Sequence, residues 1–508
     1  MMPTPSILVV ALCALILYLC HCIRYNWYSS PLARLPGPPL WSVSRLPFIL
    51  SLWRGRLVYD VFDMHKKYGD VVRIAPDEVS FASGEAWKDI YCRRPGHQPF
   101  LKNPIWWGEM AGRAESIVSV PSWDGHEKHR KMISHCFSDR ALNDEESLVQ
   151  AHVNLLINTL CAKVEESPTM TAMVNMVDWY SFTTFDIIGE LCFGDREAFG
   201  CLKNSNYHPW IKQIATYFKY GSLMATIRFY PLLANIVHRC IPRHVYDAQE
   251  KNYQWAVRKV RERLNSDTPQ RDFMSTISPY LKGFGGARDE SGISMAELES
   301  NFYVLVNAGS STCTTVLCGA TSYLMKSPEA MLTLRKELRA RFKNTSEMTF
   351  SKLANLPYLN AVIEESLRLA PPVGGALSHV VPPGGDTVCG IWLPGGTQVG
   401  VHQWSAFRNP LKFHNADAFK PERWLAEIKT ENSPFLSDDR ETVSAFSVGS
   451  WMCIGKNLAM AELRLIISRM VWRFNIAEGR NKVIWSEQKQ YVQMELDNLE
   501  VELSMLEE

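Results

Sequence analysis

The chain has 508 residues, 46% apolar and 21% charged, the balance of a folded globular protein and not of a disordered, collagen-like or coiled-coil chain. Its net charge of +1 lacks the basic surplus that a mainly electrostatic nucleic-acid binder requires. The 13 cysteines are too sparse for a disulfide scaffold and odd in number, and no Cys-x-x-Cys pair offers a zinc ribbon, so most read as reduced thiols.

Ile7 to Ile23 is an almost unbroken apolar run with His21 its only strongly polar member. At 1.5 Å per residue it reaches ~26 Å as a helix, enough for a thin bilayer. Nothing basic precedes it in sequence, while Arg24 and Arg34 follow, with Tyr25, Trp27 and Tyr28 between them as interfacial aromatics. This predicts an uncleaved, single-pass anchor over residues 1–24 rather than a signal peptide, held in membrane lipid with the remaining chain on the cytoplasmic side. A cytoplasmic domain would leave the sequon Asn344-Thr345-Ser346 unmodified. Leu35-Pro36-Gly37-Pro38-Pro39 then predicts a stiff, extended hinge over residues 25–44. Residues 45–508 show no further linker, repeat or low-complexity tract and read as one large domain.

Along that domain, Val71 to Ile74 and Val79 to Phe81 are strand-like around a Pro76-Asp77 turn. Helical patterns fill Asp124 to Cys201 and Tyr253 to Leu264. Met295 to Met325 is a long, mostly apolar helical pattern, the mark of a central helix, interrupted at Ala308-Gly309-Ser310-Ser311-Thr312. Pro328 opens a helix to Arg341, and Leu359 to Leu369 is another. Short strands with Gly384-Gly385 and Pro394-Gly395-Gly396 turns come next, and a last long helix follows Gly455. The class is mainly α with a minor β part.

Phe446 to Ala459 carries the most chemistry. Gly449 and Gly455 bracket Cys453 in a turn leading into a helix, where free N–H groups favour a thiolate. A structural cysteine would be the ordinary reading of that loop alone. Upstream, Glu365-Ser366-Leu367-Arg368 sets an acid and an arginine one helical turn apart, and Phe419-Lys420-Pro421-Glu422-Arg423-Trp424 supplies a second arginine.

In this order, Glu-x-x-Arg, Pro-Glu-Arg-Trp and Phe-x-x-Gly…Cys-x-Gly, the chain resembles a cytochrome P-450, a haem-thiolate monooxygenase. The likeness covers essentially its whole length. It extends to His126–Ser138 as the haem-contacting helix of fungal members, to Asp186–Gly194, and to Ala308–Thr312 in the oxygen-binding helix. The flavour is that of fungal secondary metabolism.

The resemblance implies a cytochrome P-450 fold behind the anchor, haem b as cofactor and Cys453 as the iron ligand, with Phe446 packed beside the sulfur. Glu365, Arg368 and Arg423 would lock the fold as a buried charge network. Gly309 would let its helix pass close over the haem, and Thr312 would pass protons to oxygen, against the common alternative of a threonine bonded back to its own helix. Trp106-Trp107 and Trp210 to Tyr230 match the variable lids by position. Lys128, Lys131 and Lys456 could attract an acidic, NADPH-dependent reductase.

Three positions depart from the family pattern. Ser311 stands where an acid usually precedes the threonine, and a hydroxyl relays protons without a carboxyl group's acidity. Trp451 and His379 stand where arginines usually hold the haem propionates, leaving Arg130 and a protonated His379 for that task. The expected activity is insertion of one atom of O2 into an apolar terpenoid or polyketide intermediate at the endoplasmic reticulum membrane. Two alternatives stand beside it: a haem-thiolate isomerase or dehydratase on the same fold, and a non-enzymatic haem binder.

Overall fold

A computed structural model describes residues 5–108, 112–230, 243–266, 271–281, 292–426 and 433–506. The apolar N-terminal run forms helix α1, Pro5–Arg24. Among the described residues no helix is long and apolar enough to cross a membrane. The structure therefore carries the expected helix but not the expected span. Several side chains of α1, at positions 5–8, 11, 12 and 15, lie outside the description.

The hinge is not an extended spacer. Residues 25–44 make three short helical turns, Tyr25–Ser29, Pro31–Arg34 and Pro39–Val43. Proline at a first helical position costs nothing there, since that N–H has no partner within the helix, and Ser30 caps the second turn from its side chain. The segment also lies against the body. Arg73 donates to the Asn26 carbonyl at 2.9 Å, and its own N–H donates to the Pro36 carbonyl at 2.8 Å. A Cβ on Gly37 would stand 2.3 Å from the Arg73 carbonyl oxygen, so only glycine fits.

The body is built on α2 (Trp123–Ile133), α3 (Asp139–Glu165), α4 (Met176–Phe193), α5 (Pro209–Ile227), α6 (Arg243–Leu264), α7 (Met295–Met325), α8 (Pro328–Arg341), α9 (Pro357–Leu369) and α10 (Lys456–Arg473). Sequence signals explain their starts. Ser122 and Ser138 cap α2 and α3, Ser294 and Glu297 form a capping box on α7, and Pro328 opens α8. The central α7 lies on α4, cross-linked inside the core by Tyr180 to Thr321 at 2.7 Å and Thr184 to Thr314 at 3.0 Å.

Beside the helices stands a five-stranded sheet of β1 (Val71–Ala75), β2 (Glu78–Phe81), β3 (Leu101–Lys102), β5 (His379–Val380) and β6 (Gln398–Val401), in the order β1-β2-β6-β5-β3. Strand β4, Thr171–Asn175, pairs with β7, Glu500–Met505, and breaks the helical block expected from Asp124 to Cys201. The architecture is mainly helical with small sheets, as the patterns predict.

Candidate active site

The Cys453 loop is held by its own backbone. The Cys453 N–H donates to the Phe446 carbonyl at 2.7 Å. Gly449 takes φ +64°, and a Cβ there would lie 2.7 Å from the Tyr91 carbonyl oxygen and 3.0 Å from Cys92 Cα. Both facts demand glycine. At Gly455 a Cβ would meet Phe137 at 3.8 Å and Cys453 Sγ at 4.0 Å, ordinary contact, so the polypeptide itself does not require glycine there. Phe446 is half-buried against the core, with Lys456 Nζ 5.8 Å above its ring.

Cys453 is accessible to solvent yet ringed by protein. Burial raises its thiol pKa, while the Gly455 N–H and the charges of Arg130 and Lys456 pull it down. The thiolate bias expected of a helix terminus is thus outweighed in the polypeptide alone. A metal ion on the sulfur supplies what the loop does not, since coordination deprotonates a thiol outright.

Helix α7 runs unbroken through Ala308–Thr312, where an interruption was expected. A ladder of hydroxyls bonds back along it. Ser310, Thr312 and Thr315 donate to carbonyls four residues earlier at 2.8, 2.8 and 3.0 Å. On this mostly buried helix Ala308 is exposed and Thr312 half-buried. Cys313, the next residue, is buried, and its thiol pKa is raised by burial and by the neighbouring Glu462 and Cys453, so this stretch lies in the neighbourhood of the thiol. Gly309 meets a neighbouring helix. Its missing Cβ would sit 3.1 Å from Ile188 Cδ1 and Cγ1, so the glycine lets α7 approach α4. Ser311 Oγ lies 2.6 Å from Gln493 Oε1 and 3.1 Å from the Asn307 carbonyl oxygen. No local pattern announces Gln493, which sits in a loop 182 positions away.

Glu365, Arg368 and Arg423 meet with no exposed surface. Arg368 grips both oxygens of Glu365 at 2.8 Å and donates to the Phe407 and Ala416 carbonyls. Arg423 Nε donates to Glu365 Oε1 at 3.1 Å, and its other nitrogens reach Asp438 and the His414 carbonyl. Lys420 N–H and Trp424 Nε1 complete the shell of Glu365, each at 2.9 Å. Burial would raise the Glu365 pKa, but the hydrogen bond and charge of Arg368, with the charge of Arg423, hold it below the usual carboxylate range. Sequence reading missed Asp438 and Trp424. The tryptophan was visible in Pro-Glu-Arg-Trp, whereas Asp438 carries no motif.

Around Trp451 the sheet, α2 and the cysteine loop converge. The Trp451 ring centroid is 4.3 Å from His126, 5.3 Å from Trp123 and 5.2 Å from His379. Arg130 Nη1 donates to the Met452 carbonyl at 2.6 Å. His379 Nδ1 bonds the Leu377 carbonyl at 3.0 Å, which puts the proton on that nitrogen and leaves the buried Nε2 without a partner. Burial lowers the His379 pKa to about 3, so the protonated histidine expected there is neutral in the polypeptide alone.

A cleft of 1010 Å³ opens beside α7, lined by Trp106, Trp107, Phe218, Tyr303, Val304 and Val492 among others. The lid aromatics therefore divide. Trp106 and Trp107 line the cleft, whereas Trp210 is a core residue, stacked on Tyr303 and bonded through Nε1 to Asn307 at 3.1 Å. Of the three lysines, Lys131 and Lys456 are exposed, while Lys128 pairs with Glu297 at 3.2 Å.

The donor set fits haem b: a soft, accessible sulfur, a central helix facing it, and a buried imidazole nitrogen still needing a partner. Comparison with known proteins agrees. The family model "Cytochrome P450" matches residues 35–500. Cytochrome P450 monooxygenase astJ of Aspergillus oryzae is 36% identical over 92% of this chain and 91% of its own length. Averantin hydroxylase of Dothistroma septosporum is 36% identical over 91% of this chain and 84% of its own. Versicolorin B desaturase stcL of Emericella nidulans is 34% identical over 94% and 96%.

Proposed function

From the premise that this chain belongs to the cytochrome P450 family and is a haem b monooxygenase of secondary metabolism, we propose that Cys453 is its iron ligand and that the substrate is an apolar terpenoid or polyketide intermediate. The single observation that carries the ligand assignment is Cys453 accessible in a glycine-shaped loop opposite α7. Bound haem supplies the activation of O2, with electrons from an NADPH-dependent reductase. The polypeptide does the rest. Phe446 would pack beside the sulfur, and Arg130, His379 and Trp451 would hold the cofactor at its edge. Gly309 and the hydroxyl ladder shape α7 at the point of reaction.

Thr312 Oγ1, now donating to the Ala308 carbonyl, would hold a proton for the reacting oxygen, with Ser311, whose hydroxyl bonds Gln493, as its neighbour in the relay. Trp106, Trp107, Phe218 and Val492 would shed water from an apolar substrate entering the cleft. Lys131 and Lys456 would meet the reductase. Glu365, Arg368 and Arg423 hold the fold and do not touch the reaction.

Helix α1 would anchor the protein in the endoplasmic reticulum membrane with the body cytoplasmic. Its exposed Val9, Val10, Leu17 and Ile23, followed by Arg24, support this reading. Protease added to intact microsomes should then digest the body, and a protected body would reverse the topology.

The ligand assignment is tested on reduced, carbon-monoxide-bound protein. Wild type should show the red-shifted Soret band of a thiolate, and Cys453→Ser should lose it. A band unchanged in Cys453→Ser defeats the assignment. With 18O2, reductase and a panel of candidate metabolites, product should carry one labelled atom. Unlabelled product would turn the reading to rearrangement.

A further inference from the structure

We propose that Lys102, absent from any recognised motif of the chain, is the principal cation for a carboxylate at the cofactor's edge, taking over from the arginines that Trp451 and His379 replace. The proposal rests on the reading that Cys453 holds haem, which makes the carboxylate a haem propionate.

Lys102 on β3 stands directly opposite His379 on β5 in an antiparallel pair. Directly opposed residues project to the same face of a sheet. Both face one indole: Lys102 Nζ lies 5.0 Å from the Trp451 ring centroid, and His379 lies 5.2 Å from it. Trp451 is two residues from Cys453, so this face belongs to the rim of the thiolate loop.

The second observation is what the site lacks. Lys102 Nζ donates to the Ile117 and Val118 carbonyls at 2.6 and 3.0 Å, which uses two of its three N–H bonds. The ionisable neighbour whose charge Lys102 senses is Arg130, another base. His126, on the same indole, senses Lys102, Arg130, His129 and His379, again all bases. His379 is 2% exposed, and its Nε2 has no partner. A cluster of basic groups with a free donor and an orphaned ring nitrogen is complementary to an anion with two acceptor oxygens. Consistent with this, burial and the charge of Arg130 lower the Lys102 pKa to about 7. A carboxylate arriving there would stabilise the ammonium and let His379 take up a proton to donate from Nε2.

The position of Trp451 then acquires a reason. An arginine in its place would press a second cation against Lys102, whereas the indole face attracts the ammonium. The charge has crossed to the neighbouring strand.

The test is haem loss from holoenzyme, followed by transfer to excess apomyoglobin, for protein carrying haem b or haem dimethyl ester, whose propionates are uncharged. Lys102→Met should lose haem b about 10- to 100-fold faster than wild type, and Lys102→Arg should stay within about threefold. With the diester, wild type and Lys102→Met should converge. Should Lys102→Met not fold, wild type alone must still lose the diester faster than haem b. Equal haem b loss in wild type and Lys102→Met, with the thiolate band intact, overturns the proposal and leaves Cys453 as ligand. Absence of that band from wild type overturns the ligand reading itself. Equal acceleration for both cofactors would reduce Lys102 to a brace for the 117–118 carbonyls. A loss of substrate-induced spectral binding without faster haem loss would assign the carboxylate to substrate, and either result defeats the proposal.

Discussion

Replacing Arg423 by leucine should cost this protein about 3–5 kcal/mol, and the structure says which group incurs the cost. Glu365 would keep both bonds from Arg368, the Lys420 N–H and the Trp424 indole. Asp438 would not fare as well. It is 7% exposed, and without Arg423 it retains the His414 N–H at 2.7 Å as its remaining described donor. The penalty is therefore a buried carboxylate stripped of its cation, not the loss of one attraction. Asp438→Leu alone leaves Arg423 on Glu365 and should cost about 1–3 kcal/mol. The double variant Arg423→Leu/Asp438→Leu should be less damaged than the sum of the two by about 2 kcal/mol, since neither orphan survives. Urea midpoints followed by far-ultraviolet circular dichroism would measure this, with m unchanged across the set. Strict additivity in the cycle would refute the reasoning.

Other outcomes follow from the same geometry. Thr312→Ala should lower product formed per NADPH by about 100-fold with release of peroxide, and Ser311→Ala should be milder because Thr312 keeps its own hydroxyl. Unchanged coupling in Thr312→Ala would remove its proton role and favour rearrangement. Burial, with the charges of Asp272 and Asp144, raises the Glu145 pKa to about 8, and its Oε2 has no partner. The folded state then holds a proton that the unfolded state has lost between the ordinary carboxylate pKa and about 8. Stability should accordingly fall as pH rises through that window, by up to about 1.4 kcal/mol per unit. Glu145→Gln should flatten this slope in unfolding midpoints measured from pH 5 to 8, and an unaltered slope would show that Glu145 is not its source.

Patterns that repeat along the chain were legible in the sequence. The apolar period of Met295–Met325 and the proline opening α8 emerge at those bounds, and the strand pair around Pro76-Asp77 emerges one residue longer on each side of the turn. So was the Cys453 loop, because Gly449 answers a local backbone need. What stayed hidden depends on partners far away in the chain. Gln493, Asp438 and Lys102 are ordinary polar residues until folding sets them against Ser311, Arg423 and Trp451. Gly309 shows the converse. A glycine visible from the start took its reason from Ile188, a side chain on another helix. The break expected beside it did not form: the helix continues while its hydroxyls bond back along it.

The docked stretch between α1 and β1 bears on how substrate arrives. A rope-like tether would let the body tumble beneath the bilayer and sample any face. A segment sewn to β1 through Arg73 and Gly37 acts as a mast. With α1 in lipid, it would hold one side of the body toward the membrane: the side carrying exposed Leu40, Leu46, Leu50 and Trp53, next to an apolar groove lined by Phe48, Leu52 and Trp106. Trp106 also lines the cleft beside α7. A greasy metabolite dissolved in the bilayer could then slide from lipid to groove to cleft without crossing water, and loosening the mast would slow its capture while leaving the chemistry intact.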